Sequence, residues 1–143
     1  MKKKILAMLL TVSMMFSISV PAFATIKPAT SKENSEIHVS WVNTDTATAT
    51  LNFSGDCADC SSIIHGKDGS SRITATALLK RVNSNGTTTV KAWTGLSASG
   101  DTFYFDRQYY VASGYTYEFE INAQVYRNGK VEYISVSDRD YCG

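Results

Sequence analysis

The chain has 143 residues, and its 14 Lys and Arg residues nearly balance its 13 Asp and Glu residues, for a formal net charge of +1. This length suits a single domain with one hydrophobic core. The near-neutral charge argues against a nucleic-acid or anionic-membrane partner, because either would need a strongly basic face.

The N-terminal residues have the pattern of a secretory signal peptide. Three lysines at positions 2–4 precede an apolar run over residues 5–20, and the small residues of AFA at 22–24 suit signal peptidase. The run is shorter than the roughly 20 apolar residues that a membrane-spanning helix needs. We therefore predict that residues 1–24 are removed and that the protein is secreted, acting extracellularly or at the cell envelope. The remaining chain has 11 Lys and Arg residues against 13 Asp and Glu residues, a net charge of −2.

The rest of the chain favours a polar leader followed by one β-rich domain. Residues 25–35, TIKPATSKENS, are polar and predict a flexible leader. Residues 36–143 are predicted to form a single β-sandwich domain, because short runs of β-branched and aromatic residues recur between turn signals. The predicted strands are 37–43, 46–53, 57–66 (the weakest), 72–82, 87–94 and 102–105, with a hairpin turn at 83–86 and a loop at 95–101.

The clearest signal is a hairpin within residues 114–137, GYTYEFEINAQVYRNGKVEYISVS. Apolar and polar residues alternate strictly along its first strand, which is typical of a half-buried strand. Asn128-Gly129 suits a type I′ turn, since both positions need positive φ. A two-residue turn at this point predicts that Ala123 faces Ile134. The same register sets Glu132 opposite Val125, a mismatch that we place near the rim of the sheet.

These patterns predict an all-β fold, an antiparallel β-sandwich of about seven or eight strands. Its core should be formed by the inward positions of the hairpin, with apolar residues of earlier strands packed across it. The predicted core residues are Tyr117, Phe119, Ile121, Ala123, Ile134 and Val136, with Ile73, Leu79, Phe103 and Phe105 across from them.

Several segments together carry a resemblance to known proteins. GYTYEFEINAQV resembles the late strand of immunoglobulin and fibronectin type III domains, where a tyrosine near the strand start often forms a tyrosine corner. With CADCSSIIHG, ITATALLKR and VKAWTG, the chain resembles small, secreted, largely uncharacterised β-sandwich proteins of Gram-positive bacteria. The resemblance implies an immunoglobulin or fibronectin type III-like sandwich and export. It implies no catalytic residues.

The resemblance also suggests how the three cysteines are used. In such a sandwich the start of the second core strand can lie near the end of the last strand, which favours a Cys60–Cys142 disulfide over the alternative Cys57–Cys142. The third thiol would then stay free or link two chains. A redox-active CxxC or a zinc site that includes His65 is disfavoured, because neither has the sequence context that such sites need.

Exposed tyrosines are the best candidates for a binding site. Alternation turns Tyr104 outward, and the hairpin register places Tyr126, Tyr133 and Gln124 on the outward face. Aromatic rings beside amides suit sugar stacking or a protein hot spot, although cross-strand aromatic pairs can also simply stabilise a sheet.

The sequence predicts a non-enzymatic binding or interaction protein without cofactor or metal, whose partner is an extracellular protein or glycan. His38 and His65, the two histidines, lack a recognisable nucleophile or metal motif and are expected on strand surfaces. Two alternatives remain open: a carbohydrate-binding module that uses the exposed aromatics, and a bacteriocin- or toxin-like effector.

Overall fold

The computed structural model describes residues 40–143, so the predicted signal peptide (1–24), the predicted leader (25–35) and His38 lie outside the described residues. Seven strands make up most of this region, and no helix able to cross a membrane occurs within it. The strands are β1 (Thr44–Ser54), β2 (Cys57–Gly66), β3 (Ser70–Asn83), β4 (Gly86–Ser99), β5 (Thr102–Tyr110), β6 (Tyr115–Arg127) and β7 (Lys130–Cys142).

The strands form two antiparallel sheets. A three-stranded sheet has the order β1-β2-β5, and a four-stranded sheet has the order β4-β3-β6-β7. Apolar side chains from both sheets meet in one buried cluster. The predicted class, an all-β antiparallel sandwich of about seven strands, is confirmed at this level.

The β6–β7 hairpin has the predicted register. Ala123 pairs with Ile134, and Glu132 pairs with Val125. Asn128 and Gly129 have φ values of 50° and 73°, as a type I′ turn requires. Because side chains alternate with a period of two, this register sends one set of residues into the core and the other set to the outer surface.

The core lies where the inner faces of the sheets meet. Phe105 of the three-stranded sheet stacks on Phe119 of the four-stranded sheet, with 5.6 Å between ring centroids. Trp93 adds an edge contact to Phe105 at 5.3 Å. Of the residues predicted for the core, Val136 is half-buried and the following are buried: Tyr117, Phe119, Ile121, Ala123, Ile134, Ile73, Leu79, Phe103 and Phe105. Ile73 and Leu79 belong to β3 and so lie beside β6 in the same sheet, not across the sandwich from it.

Acidic side chains of β7 join the two sheets along one edge. Glu132 accepts a hydrogen bond from Thr44 Oγ1 (2.8 Å) and two more from backbone N–H groups just before β1. Asp138 accepts one from the backbone N–H of Leu51 (2.8 Å). The carboxylate that looked mismatched opposite Val125 therefore has partners on the other sheet.

Three predicted boundaries are wrong. The strand expected over 102–105 continues to Tyr110 as β5. The segment 95–101 was expected to be a loop, yet β4 continues to Ser99 through a bulge at Gly95, whose φ is +69°. A glycine in this conformation lets the strand take an extra residue and resume pairing. Within the expected strand 37–43, residues 40–43 precede β1, and Asn43 is buried there with its side-chain amide donating to the carbonyl of Val125 (3.2 Å).

Candidate functional site

Outward-facing side chains of the four-stranded sheet line up in rows across its strands. The register of β3 with β4 and β6, and of β6 with β7, sets each row. Neighbouring rows are two residues apart along each strand, about 7 Å. One row consists of Ser97, Thr74, Gln124 and Tyr133, and the next contains Thr76, Asn122 and Ser135.

These two rows form the floor of an open groove of about 670 Å³ that crosses all four strands. Their hydroxyl and amide groups lie beside apolar surface from residues such as Leu96. At the β7 end stands Tyr133, with 75 % of its surface exposed. Four strands spaced about 4.8 Å apart make such a groove roughly 14 Å long. The groove thus offers rows of polar groups, some apolar surface and one free aromatic face.

One flank of the groove is rich in hydrogen-bond donors. Arg72 lines the groove, and its guanidinium carbon lies 4.3 Å from the centre of the Tyr126 ring. The Tyr126 hydroxyl donates to Gln124 Oε1 (2.6 Å). This bond uses one lone pair of the Gln124 oxygen and leaves the NH₂ group of Gln124 free to donate elsewhere.

The adjoining row has the opposite hydrogen-bonding character. Asn122 donates its side-chain NH₂ to Glu120 Oε1 (2.5 Å), which leaves its own carbonyl oxygen free to accept. Lys80 donates to Glu120 Oε2 (2.6 Å). Burial raises the pKa of Glu120, but the hydrogen bonds from Lys80 and Asn122 outweigh it and hold the pKa below its ordinary value. Glu120 is therefore ionised at neutral pH.

A ladder of paired charges continues along the same face beyond Glu120. Glu118 is buried, contacts Arg139 through a charge-assisted hydrogen bond, and lies 3.7 Å from Lys80. The two carboxylates and two cations of this ladder balance one another. Both carboxylates already serve as acceptors for basic side chains, so the ladder has the character of a structural network.

The structure brings together three of the four predicted ligand-binding residues. Gln124 and Tyr133 form a cross-strand pair in the groove, and Tyr126 lies two residues further along β6, against Arg72. Tyr104 lies elsewhere. It stands on the other sheet, 69 % exposed, with its ring 6.3 Å from that of His65.

Several groove residues were not singled out from the sequence. They share a position on the outward side of β3 or β6 and are Arg72, Thr74, Thr76 and Asn122. For the three residues of β3, the signal was present in the alternation of RITAT (72–76), in which every second residue is polar. What the alternation lacked was the pairing of β3 with β6, which places these residues beside Gln124.

The predicted Cys60–Cys142 disulfide is not formed, and neither is the alternative Cys57–Cys142. All three cysteines lie in the described part of the chain as buried free thiols. The Cys142 sulfur lies 3.6 Å from the carbonyl oxygen of Gly55, in the β1–β2 turn. Cys60 is three residues further into β2 than Cys57, about 10 Å along the strand. Cys57, which pairs with Ser54 of β1, lies on the opposite face of β2 from Cys60.

Burial makes the thiols of Cys60 and Cys142 poor nucleophiles. It raises the pKa of Cys60 to about 12, with smaller contributions from Asp59 and Cys57, and it raises the pKa of Cys142. Over residues 40–143, no group of three or more His, Cys, Asp and Glu side chains converges as a metal site would require. His65 lies on β2, with Nδ1 3.4 Å from the Thr102 hydroxyl.

No protein-family model matches this sequence, and a comparison with curated proteins gave no match. Among solved structures, the chain is similar to the crystal structure of Spo0M, a sporulation control protein from Bacillus subtilis. The two share 14 % sequence identity and a TM-score of 0.37, over 69 % of this chain and 49 % of Spo0M. The chain thus matches about half the length of that protein.

Proposed function

We propose that this protein is a non-enzymatic, exported binding domain, and that the groove across its four-stranded sheet binds a glycan chain. The observation that carries the proposal is the position of Tyr133, a highly exposed ring at the end of two rows of hydroxyl and amide side chains. An aromatic face can stack on a sugar ring. The floor can exchange hydrogen bonds with the sugar hydroxyls.

The shape of the groove supports an extended ligand. It crosses all four strands and is open to solvent, so a chain can lie along it without threading into a cavity. Rows of Ser, Thr, Asn and Gln supply both donors and acceptors.

We also infer that the sandwich is of the immunoglobulin or fibronectin type III-like kind. A tyrosine near the start of a late strand supports this subtype. The Tyr117 hydroxyl donates to the backbone carbonyl of Ala112, five residues earlier (2.8 Å), as in a tyrosine corner. This bond ties the β5–β6 connection to the core.

Export rests on the signal-peptide pattern of residues 1–24. The corresponding measurement is the intact mass of the protein recovered from the culture medium of a Gram-positive host. A mass that begins at Thr25 supports export with cleavage. Protein that keeps residues 1–24 and stays with the cells contradicts it.

A second candidate, a protein-interaction surface, is favoured by a separate observation. Ile63 and Tyr104 form an exposed cross-strand pair on the outer face of the three-stranded sheet. Tyrosine is one of the residue types enriched at interaction hot spots. For this second candidate, Tyr104 and not Tyr133 makes the main contact with the partner.

A matched pair of variants distinguishes the two candidate functions. The binding of wild-type protein to a panel of immobilised polysaccharides is compared with that of Tyr133→Ala and Tyr104→Ala. Each variant removes one similarly exposed ring, from opposite faces of the sandwich. We expect Tyr133→Ala to weaken glycan binding by roughly tenfold, the usual effect of losing a tyrosine anchor, and Tyr104→Ala to leave it unchanged. Equal binding by wild type and Tyr133→Ala contradicts the groove as the site.

A further inference from the structure

Hydrogen-bonding groups in the groove are arranged asymmetrically, and the asymmetry bears on the kind of glycan. Three cations lie on the outer face of the four-stranded sheet: Arg72, Lys80 and Arg139. Lys80 and Arg139 pair with the carboxylates of Glu120 and Glu118. Arg72 has no carboxylate within ion-pair distance among residues 40–143. The groove therefore carries one uncompensated positive charge, at its Arg72 flank.

The guanidinium of Arg72 is held in place by the Tyr126 ring. Its central carbon lies 4.3 Å from the ring centroid. A guanidinium that contacts an aromatic ring can keep N–H groups free to donate in pairs to a planar or tetrahedral anion. A lysine would present only a point charge.

The neighbouring amide strengthens the same preference. Because Tyr126 donates to Gln124 Oε1, the Gln124 NH₂ keeps both of its N–H groups free to face a ligand. Arg72 and Gln124 together offer several free donors. About 7 Å away along β6, the free carbonyl oxygen of Asn122 offers an acceptor.

We propose that the groove binds an acidic glycan, with Arg72 and Gln124 receiving an oxyanion of the chain and Asn122 accepting from a hydroxyl. The shared chemistry is an anionic group, a carboxylate or a sulfate ester, on a polyhydroxylated chain. This inference rests on the proposed function of the groove and specifies its ligand. The exported chain has a net charge of −2, so a polyanion would be recognised locally, not by general attraction.

The test uses two polymers that differ only in charge: polygalacturonate and its fully methyl-esterified form. Dextran sulfate beside dextran tests the sulfate source in the same way. Calorimetric titrations compare wild type with Arg72→Gln, and with Arg107→Gln as a control that removes an exposed arginine from the other sheet. We expect wild type to prefer the charged member of at least one pair by about tenfold, as for hydrogen bonds to a charged group. Arg72→Gln should erase that preference, and Arg107→Gln should keep it.

A second variant reports on the hydrogen-bond arrangement. Tyr126→Phe keeps the ring beneath Arg72 and removes only the hydroxyl that holds Gln124. We expect it to weaken binding of the charged polymer by several-fold while leaving the melting temperature within a few degrees. Because Arg72 is exposed, Arg72→Gln should fold normally, which circular dichroism verifies.

The outcomes separate this inference from the proposed function. Equal binding of charged and neutral polymers, with Tyr133→Ala weakening both, overturns the acidic preference and leaves the glycan groove standing. A charge preference that survives Arg72→Gln also overturns the inference. If Tyr133→Ala changes the binding of no polymer, both proposals fail.

Discussion

Replacing Glu132 with glutamine should weaken the contact between residues 42–44, at the start of β1, and β7, the edge strand of the four-stranded sheet. The carboxylate accepts hydrogen bonds from the backbone N–H groups of Val42 (2.5 Å) and Asn43 (2.9 Å) and from the Thr44 hydroxyl (2.8 Å). Asn43 and Thr44 are buried. A glutamine offers one acceptor oxygen and turns its NH₂ group toward another donor. Losing charge-assisted bonds and leaving a buried donor unpaired should lower the free energy of unfolding by about 2–3 kcal/mol.

The same variant should change how stability depends on pH. Burial raises the pKa of Glu132, but the hydrogen bonds from Val42, Thr44 and Asn43 outweigh it and bring the pKa below the ordinary 4.5. A carboxylate with a lowered pKa in the folded state contributes stability that is fully present above its unfolded pKa. That contribution is lost as the pH falls below about 4.5 toward the folded pKa. The difference between wild type and Glu132→Gln should therefore be constant near neutral pH and shrink in acid.

Thermal melts followed by circular dichroism from pH 7 to pH 3 would measure both effects. A loss of about 2–3 kcal/mol corresponds to a fall in melting temperature on the order of 10 °C or more for a domain of this size. Asp106→Asn is the control, since Asp106 is exposed on β5 and its side chain makes no hydrogen bond or ion pair within residues 40–143. It should keep the wild-type melting temperature at neutral pH. A Glu132→Gln protein that melts with the wild type at pH 7, or a difference that grows in acid, would refute the reasoning.

Three further outcomes are expected. Phe119→Ala should lower the free energy of unfolding by roughly 3–5 kcal/mol, because Phe119 is fully buried and stacked on Phe105; an unchanged melt would place it outside the core. Tyr117→Phe should cost about 1 kcal/mol in denaturant titrations, the net worth of its single hydrogen bond to Ala112, and a neutral result would mean that this bond does not hold the β5–β6 connection. Native protein treated with iodoacetamide without reductant should show no blocked thiol, and unfolded protein should show three, because all three cysteines are buried and unpaired. A single blockable thiol after unfolding would show that two of the cysteines form a disulfide.

The alternation of residue types along the sequence is enough to predict the β6–β7 hairpin of the four-stranded sheet. The alternation of β6 and the Asn128-Gly129 turn gave the register of the hairpin with β7, including the pairing of Gln124 with Tyr133. This succeeds because a two-residue turn and a period of two leave only one alignment that buries the apolar residues. The same logic turned Tyr104 outward and the two neighbouring phenylalanines inward.

The sequence does not predict which strands that are distant along the chain pair with each other. The groove exists because β3 pairs with β6, so that Arg72 and Thr74 lie beside Tyr126 and Gln124, residues about 50 positions later in the chain. The bulge at Gly95 that extends β4 also depends on its alignment with β3. Nothing local to either strand specifies which strand will be its neighbour.

Local sequence patterns therefore predict the all-β class, the late hairpin and the alternation of buried and exposed positions along it. The packing of the whole chain sets which outward residues share a groove and which cations of the described residues lack a carboxylate partner. It also places Cys142 against the Gly55 carbonyl, with no disulfide. Alternation can be predicted because it is a property of neighbouring residues. Strand order, by contrast, is settled by how two whole sheets bury their apolar faces together.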